Sequence, residues 1–183
     1  TRVIPARLLG SKAETGGRVE IFLVKKLATR DEELAPGVVR TVGASTTINM
    51  LGAGTFSALS TLTTNNGTLN FTLGGIFQTT PFAGTFTNNG TIDLGPDRWF
   101  QVTGNFVQGS AGILNLDAAS SSRYSRVLAS GASTAAGTVA FQFVGGFVPT
   151  PGLTFSFLQA ASRTGTFATA TIPSLPVGAG SVA

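Results

Sequence analysis

The chain has 183 residues, 42% of them hydrophobic and only 11% charged, against a charged share of about 25% in ordinary soluble domains. It contains no Cys and no His, which removes disulfides, thiolate nucleophiles, His-based metal clusters and triads, and the commonest general base. Its net charge of +4 is unevenly placed: residues 1–40 hold eight of the twelve Lys and Arg and five of the eight Asp and Glu.

Residues 1–27 read as two short strands. Arg18-Val19-Glu20-Ile21-Phe22-Leu23-Val24 is rich in β-branched and aromatic side chains, and Glu14-Thr15-Gly16-Gly17 before it has hairpin-turn chemistry. The stretch TRVIPARLLGSKAETGGRVEIFLVKKL, with its TRVIPARL and GG-x-VE elements intact, resembles an internal segment of the S-adenosylmethionine:tRNA ribosyltransferase-isomerases. The resemblance implies ancestry of this segment, and so a fusion or chimera. A fragment of a tRNA-modifying enzyme is an alternative reading of the whole. The basic residues here interleave with Glu14, Glu20 and Asp31-Glu32-Glu33, so they read as a solvated hairpin face, and no nucleic-acid partner is expected. Residues 28–43 follow as a charged connector broken by Pro36-Gly37. The chain does not begin with Met, and its first residues do not read as a signal peptide, so a piece of a longer protein is expected. No apolar run approaches the ~18 residues of a membrane span.

From residue 44 a repeat takes over. Five segments superimpose: Thr46-Thr47-Ile48-Asn49-Met50, Gly67-Thr68-Leu69-Asn70-Phe71, Gly90-Thr91-Ile92-Asp93-Leu94, Gly112-Ile113-Leu114-Asn115-Leu116 and Gly137-Thr138-Val139-Ala140-Phe141, at separations of 21, 23, 22 and 25 residues. The third and fifth positions are always apolar, and alternate strand positions share a face, so they point into a core. One coil cannot bury its own apolar face, whereas stacked coils make a continuous column. Asn65-Asn66 and Asn88-Asn89, with the corner glycines, are expected to supply the positive φ of tight turns. The expected fold class is all-β: a right-handed parallel β-helix (β-solenoid) of about five coils over residues 44–119, with an N-terminal β-hairpin. C-terminal coils and a cap fill residues 120–183. An antiparallel β-sandwich is the alternative.

After residue 120 the pattern loosens. Tyr124-Ser125-Arg126-Val127-Leu128, Gly137-Thr138-Val139, Gly145-Gly146-Phe147-Val148-Pro149 and Gly165-Thr166-Phe167 follow one another. This order resembles the C-terminal end of the β-helical passengers of bacterial autotransporter-like and other anchored surface proteins. The resemblance implies a secreted or surface-displayed solenoid, extracellular or on the bacterial cell surface. It implies a structural, adhesin-like role, with glycans or other surface proteins as partners and self-association through the solenoid ends.

The outward positions of the pentads carry Thr47, Thr68 and Thr91 in one column and Asn49, Asn70, Asp93 and Asn115 in the next. Such columns suit a solubilised structural face, and equally a glycan- or ice-binding face, although Ile113 and Ala140 interrupt them. An enzyme would have to use Asp93, Asp97, Arg98 and Asp117 as a polysaccharide hydrolase or lyase, since paired carboxylates are the minimum for such chemistry. Gly95-Pro96-Asp97-Arg98 also reads as an ordinary turn with Asp97 and Arg98 solvated. Trp99 and Phe100 read as core before sugar platforms. The Asn-x-Thr sequons read as corner chemistry. No metal and no cofactor are expected, and a non-enzymatic role is favoured, with the hydrolase or lyase left as its alternative.

Overall fold

The computed structural model describes residues 6–11, 18–23, 39–50, 57–72, 77–78 and 81–173. Strands β1 (Ala6–Ser11) and β2 (Arg18–Leu23) pair antiparallel, Ala6 opposite Leu23 and Ser11 opposite Arg18, as the hairpin reading expects. The expected turn at 14–17 lies outside the described residues, and so does most of the connector. The repeat begins with β3 (Thr41–Val42) and β4 (Thr47–Asn49), so pairing starts three residues ahead of the boundary expected at 44. After β4, a 3-10 helix at Ser57–Thr61 buries Leu59.

From there the chain visits three sheets in turn. β5 (Thr64–Asn65), β6 (Thr68–Phe71) and β7 (Phe77–Gln78) are followed by β8 (Phe86–Asn88), β9 (Thr91–Leu94) and β10 (Arg98–Val102). Next come β11 (Phe106–Gln108), β12 (Ile113–Ala118) and β13 (Arg126–Ala129). β14 (Ala132–Ala135), β15 (Thr138–Phe143), β16 (Leu158–Gln159), β17 (Ser162–Gly165) and β18 (Thr169–Thr171) complete the series. The first sheet runs β3-β5-β8-β11-β14-β17, the second β4-β6-β9-β12-β15-β18 and the third β7-β10-β13-β16. Every pairing within these three sheets is parallel. The protein is therefore all-β with parallel, solenoid-like sheets, and the antiparallel sandwich is set aside.

The pentads are the rows of the second sheet. Thr47 pairs with Thr68, Thr68 with Thr91, Thr91 with Ile113, and Ile113 with Thr138, each one column. Their inward residues Ile48, Leu69, Ile92, Leu114 and Val139 are all buried. A sixth row, Thr169-Ala170-Thr171, continues the register beyond the five pentads. The residue in line with Val139 is only Ala170, and it is exposed, so the row carries no apolar signature.

The corners meet the expectation of positive φ in part: Gly137, which opens the fifth pentad, has φ of 60°, but the glycines of the earlier pentads serve otherwise. Gly67, Gly90 and Gly112 do not have positive φ; they are needed for space. A Cβ on Gly90 would lie 2.1 Å from the Gly67 carbonyl oxygen of the coil beside it, and one on Gly112 would lie 2.4 Å from the Asn88 oxygen. The amides of Thr91 and Ile113 use this close approach to donate to Gly67 O (2.7 Å) and Gly90 O (2.8 Å).

The corner asparagines are also reassigned. Asn65 and Asn88 are fully buried, pointing inward from the first sheet. Asn65 Nδ2 donates to Asn88 Oδ1 (2.8 Å) and Thr91 O (3.0 Å), and Asn88 Nδ2 donates to Gln108 Oε1 (3.0 Å) and Ile113 O (3.2 Å). Buried amides demand partners, and stacking identical side chains in register supplies them. This ladder joins the first sheet to the second at the start of two rows, those of Thr91 and Ile113. Beside it Phe100 is the hub of a ring cluster, with Phe82 at 4.6 Å, Phe86 at 4.9 Å, Phe106 at 6.0 Å and Phe71 at 6.1 Å between centroids. Rings packed this way add to area burial.

Candidate functional site

The outward face of the second sheet is where the expected columns fall. Thr47 and Asn49 are exposed, and Thr68, Asn70, Thr91, Asp93 and Asn115 are half-buried. Asn49, Asn70, Asp93 and Asn115 stand in one register column. Asn115 Nδ2 donates to Asp93 Oδ1 at 2.5 Å, so the column is bonded across these two rows. Asn70 turns aside, its Oδ1 accepting from Thr72 N (3.0 Å) and Thr72 Oγ1 (2.6 Å). Ile113, 38% exposed, replaces Thr in the first column, and Ala140 replaces the amide in the second.

The four residues considered for catalysis separate. Asp93 and Asp117 share the outward face of neighbouring strands, Asp117 standing one alternation beyond Asn115. Burial, with the Asp93 carboxylate adding to it, pushes the Asp117 carboxyl above its ordinary value. Asp97 sits in the β9–β10 turn with φ of 63° and accepts from Arg123 Nε at 2.7 Å. Arg98 is not solvated as the turn reading had it. It is 3% exposed and shares the inward face of β10 with Phe100 and Val102. Burial pulls its guanidinium below the usual value, against the opposing pull of Asp97. The alternation of β10 decides this: Phe100 must be inside, so Arg98 goes with it.

Ser125 fixes the ground around Asp117. Its Oγ is fully buried, accepts from Asp117 N (2.9 Å) and donates toward Leu94 O (2.7 Å). That hydroxyl ties the end of β12 to the turn after β9 and anchors the 119–124 excursion.

On the third sheet lies a second assembly that the outward columns did not announce. Trp99 and Arg126 are register partners on β10 and β13. The Arg126 guanidinium carbon stands 5.5 Å from the Trp99 ring centroid and 4.4 Å from that of Tyr124. Tyr124 in turn meets Phe155 edge-on at 5.1 Å. Further along the same strands, Gln101, Leu128 and Gln159 line an open groove of about 480 Å³ with Val102, Ala129 and Ala160. The signal for it was present as Trp99 and Tyr124-Ser125-Arg126 at equivalent places in consecutive coils, but only the register brings the two together.

No family model matches the chain, and no solved structure matches it. A short part of it is 72% identical over 32 residues to the S-adenosylmethionine:tRNA ribosyltransferase-isomerase of Pelobacter propionicus, covering 18% of this chain and 9% of that protein. The corresponding protein of Geotalea uraniireducens is 64% identical over 39 residues, covering 21% of this chain and 9% of its own. The likeness noted in residues 1–27 is thus real, and the chain spans only about 9% of the length of these curated relatives.

Proposed function

We propose that the chain is a module of a secreted or cell-surface protein, a right-handed parallel β-helix with a C-terminal cap. Its work is display: a rigid column presents hydroxyl and amide rows to glycans or other surface molecules. The observation that carries this reading is the register of the second sheet, which sets Thr47, Thr68 and Thr91 in one outward column and Asn49, Asn70, Asp93 and Asn115 in the next. Repeated, evenly spaced polar groups on a stiff support suit a repetitive polymer or lattice. The resemblance to surface passengers read from the sequence of residues 44–178 is in keeping with this reading. The tRNA-enzyme likeness covers too little of either chain to carry that activity, and we read it as a fused segment.

A glycan array and an ice-affinity partition test the proposal, run on the protein and on a variant with Thr68, Thr91 and Asn70 all changed to Ala. Retention by the parent and its loss in an equally stable variant is the expected result. Equal retention by both would remove the columns from the account.

A second reading, a polysaccharide hydrolase or lyase, draws on the register that sets Asp93 and Asp117 on the outward face of neighbouring strands, where burial and the Asp93 carboxylate hold the Asp117 carboxyl above its ordinary value. Two carboxyls on one face are the minimum for such chemistry. The triple variant Asp93→Asn, Asp97→Asn, Asp117→Asn decides it. A turnover that disappears with the fold intact would replace display by catalysis.

A further inference from the structure

Three sheets end together at β16, β17 and β18, each of which has a single neighbour among the described residues. β17 and β18 are exposed along their whole length, and Phe157 and Phe167 are only partly buried against the core. An open parallel edge is a template for another strand. The matching edge is at the other end of the same chain, since β3 and β4 begin the two sheets that β17 and β18 end. A second copy set head to tail here would continue both sheets in the same direction.

Arg163 stands in its way. On β17 it pairs with Ser133, which pairs with Phe106, which pairs with Phe86. Those three are at most 1% exposed, so the column is an inward one, and its last member is an arginine. Arg163 Nη1 donates to Leu158 O at 3.4 Å. Phe157 O already accepts from Val127 N of β13 (2.7 Å), and successive carbonyls of a strand face opposite neighbours. Leu158 O therefore faces away from β13, toward the open edge. The guanidinium lies on a carbonyl that an added strand would need.

An added copy would also seal this charge inside the column. The chain has no Asp or Glu after Asp117, and an unpaired buried charge is heavily penalised. Nor does the opposite end supply a partner. Arg40 is exposed one residue ahead of Thr41, and Arg163 is one residue ahead of Thr164. Thr41 and Thr164 share one register column through Thr64, Thr87, Val107 and Thr134. Stacked head to tail, Arg163 of one copy would meet Arg40 of the next, like charge on like.

We propose that Arg163 is an edge guard, which keeps a second copy of this chain from stacking on the C-terminal end of the column, and that Arg40 reinforces it from the other end. This runs against the self-association through the solenoid ends that the sequence resemblance implies. The guard is separate from the Thr and Asn columns, so its failure leaves the display reading standing.

Sedimentation velocity of the full chain at rising concentration and low salt tests it. The parent is expected to remain a monomer. Arg163→Leu should form chains, its mean mass reaching at least about twice that of the parent. Arg163→Glu, which would face Arg40 of the next copy with the opposite charge, should also form chains, and these should dissolve at high salt. It serves if Arg163→Leu does not fold. Arg163→Lys, which keeps the charge, and Arg123→Leu, which removes an equal charge away from the edge, should both stay monomeric. A parent that already forms chains would overturn the proposal, as would folded Leu and Glu variants that stay as monomeric as the parent. Equal association of Arg123→Leu or Arg163→Lys would do the same.

Discussion

The middle of the column and its C-terminal end are built from the same three sheets but filled differently. In the middle coils Phe82, Phe86, Phe100 and Phe106 are at most 1% exposed, and the Asn65–Asn88–Gln108 ladder is sealed among them. In the last coils Phe141, Phe157 and Phe167 are only partly buried, and β17 and β18 are exposed along their whole length. The difference teaches where stability resides. A row of a stacked fold is worth most when it has a row on each side, so equal chemistry should carry unequal energy in the two regions.

Several substitutions sharpen or break that contrast. The largest effect is expected from Phe100→Ala, which removes the hub of five rings; about 3–5 kcal/mol should be lost in urea unfolding. Phe167→Ala, at the partly buried end, should cost about 1 kcal/mol or less. Equal costs would show that the coils do not differ in packing. Next comes Gly90→Ala, whose Cβ would meet the Gly67 carbonyl oxygen at 2.1 Å. Rigid backbone on both sides leaves no relaxation, and about 2–3 kcal/mol of loss is expected in the same measurement. Asn88→Ala follows, at about 2 kcal/mol, because it strands the Asn65 amide and Gln108 Oε1 in an apolar interior. Thr134→Ala, an exposed position of the first sheet near the end, should cost only a few tenths of a kcal/mol.

The smallest effect depends on pH. The Asp117 carboxyl is raised, so the folded chain holds this proton more tightly than the unfolded chain. Its contribution is fully present below the ordinary value of 3.8 and is lost as pH rises through the raised one. Asp117→Asn, neutral at every pH, should therefore melt about 1–2 °C above the parent at pH 7, with the gap closing as the pH falls toward 3.8. A gap that widens on acidification would reverse the assigned sign.

Much of the second sheet was legible because its pentads alternate strictly and repeat at 21 to 25 residues. What escaped were positions decided by neighbouring coils rather than neighbouring residues. Asn65 and Asn88 look like turn formers in sequence. They become core residues only when a second identical amide lies 2.8 Å away. Arg98 follows a Pro-Asp turn and reads as solvated until the alternation with Phe100 draws it inside. The sixth row was hidden because Ala170 gives no apolar mark. The outward columns were placed correctly by alternation alone, whereas the Trp99–Arg126 pair needed the register of the third sheet, 27 residues apart in the chain.

The central claim is that rows more than twenty residues apart in sequence stack in parallel and in register. The chain has no Cys, so spin labels can be placed at chosen pairs without background. With one label on Thr47→Cys and the other on Thr68→Cys, Thr91→Cys, Ile113→Cys or Thr138→Cys in turn, the separation should grow by roughly 4.8 Å per row, to about 19 Å at Thr138 before tether corrections. Separations that fail to rise in that order, or that alternate between near and far, would contradict the stacked column and the display reading built upon it.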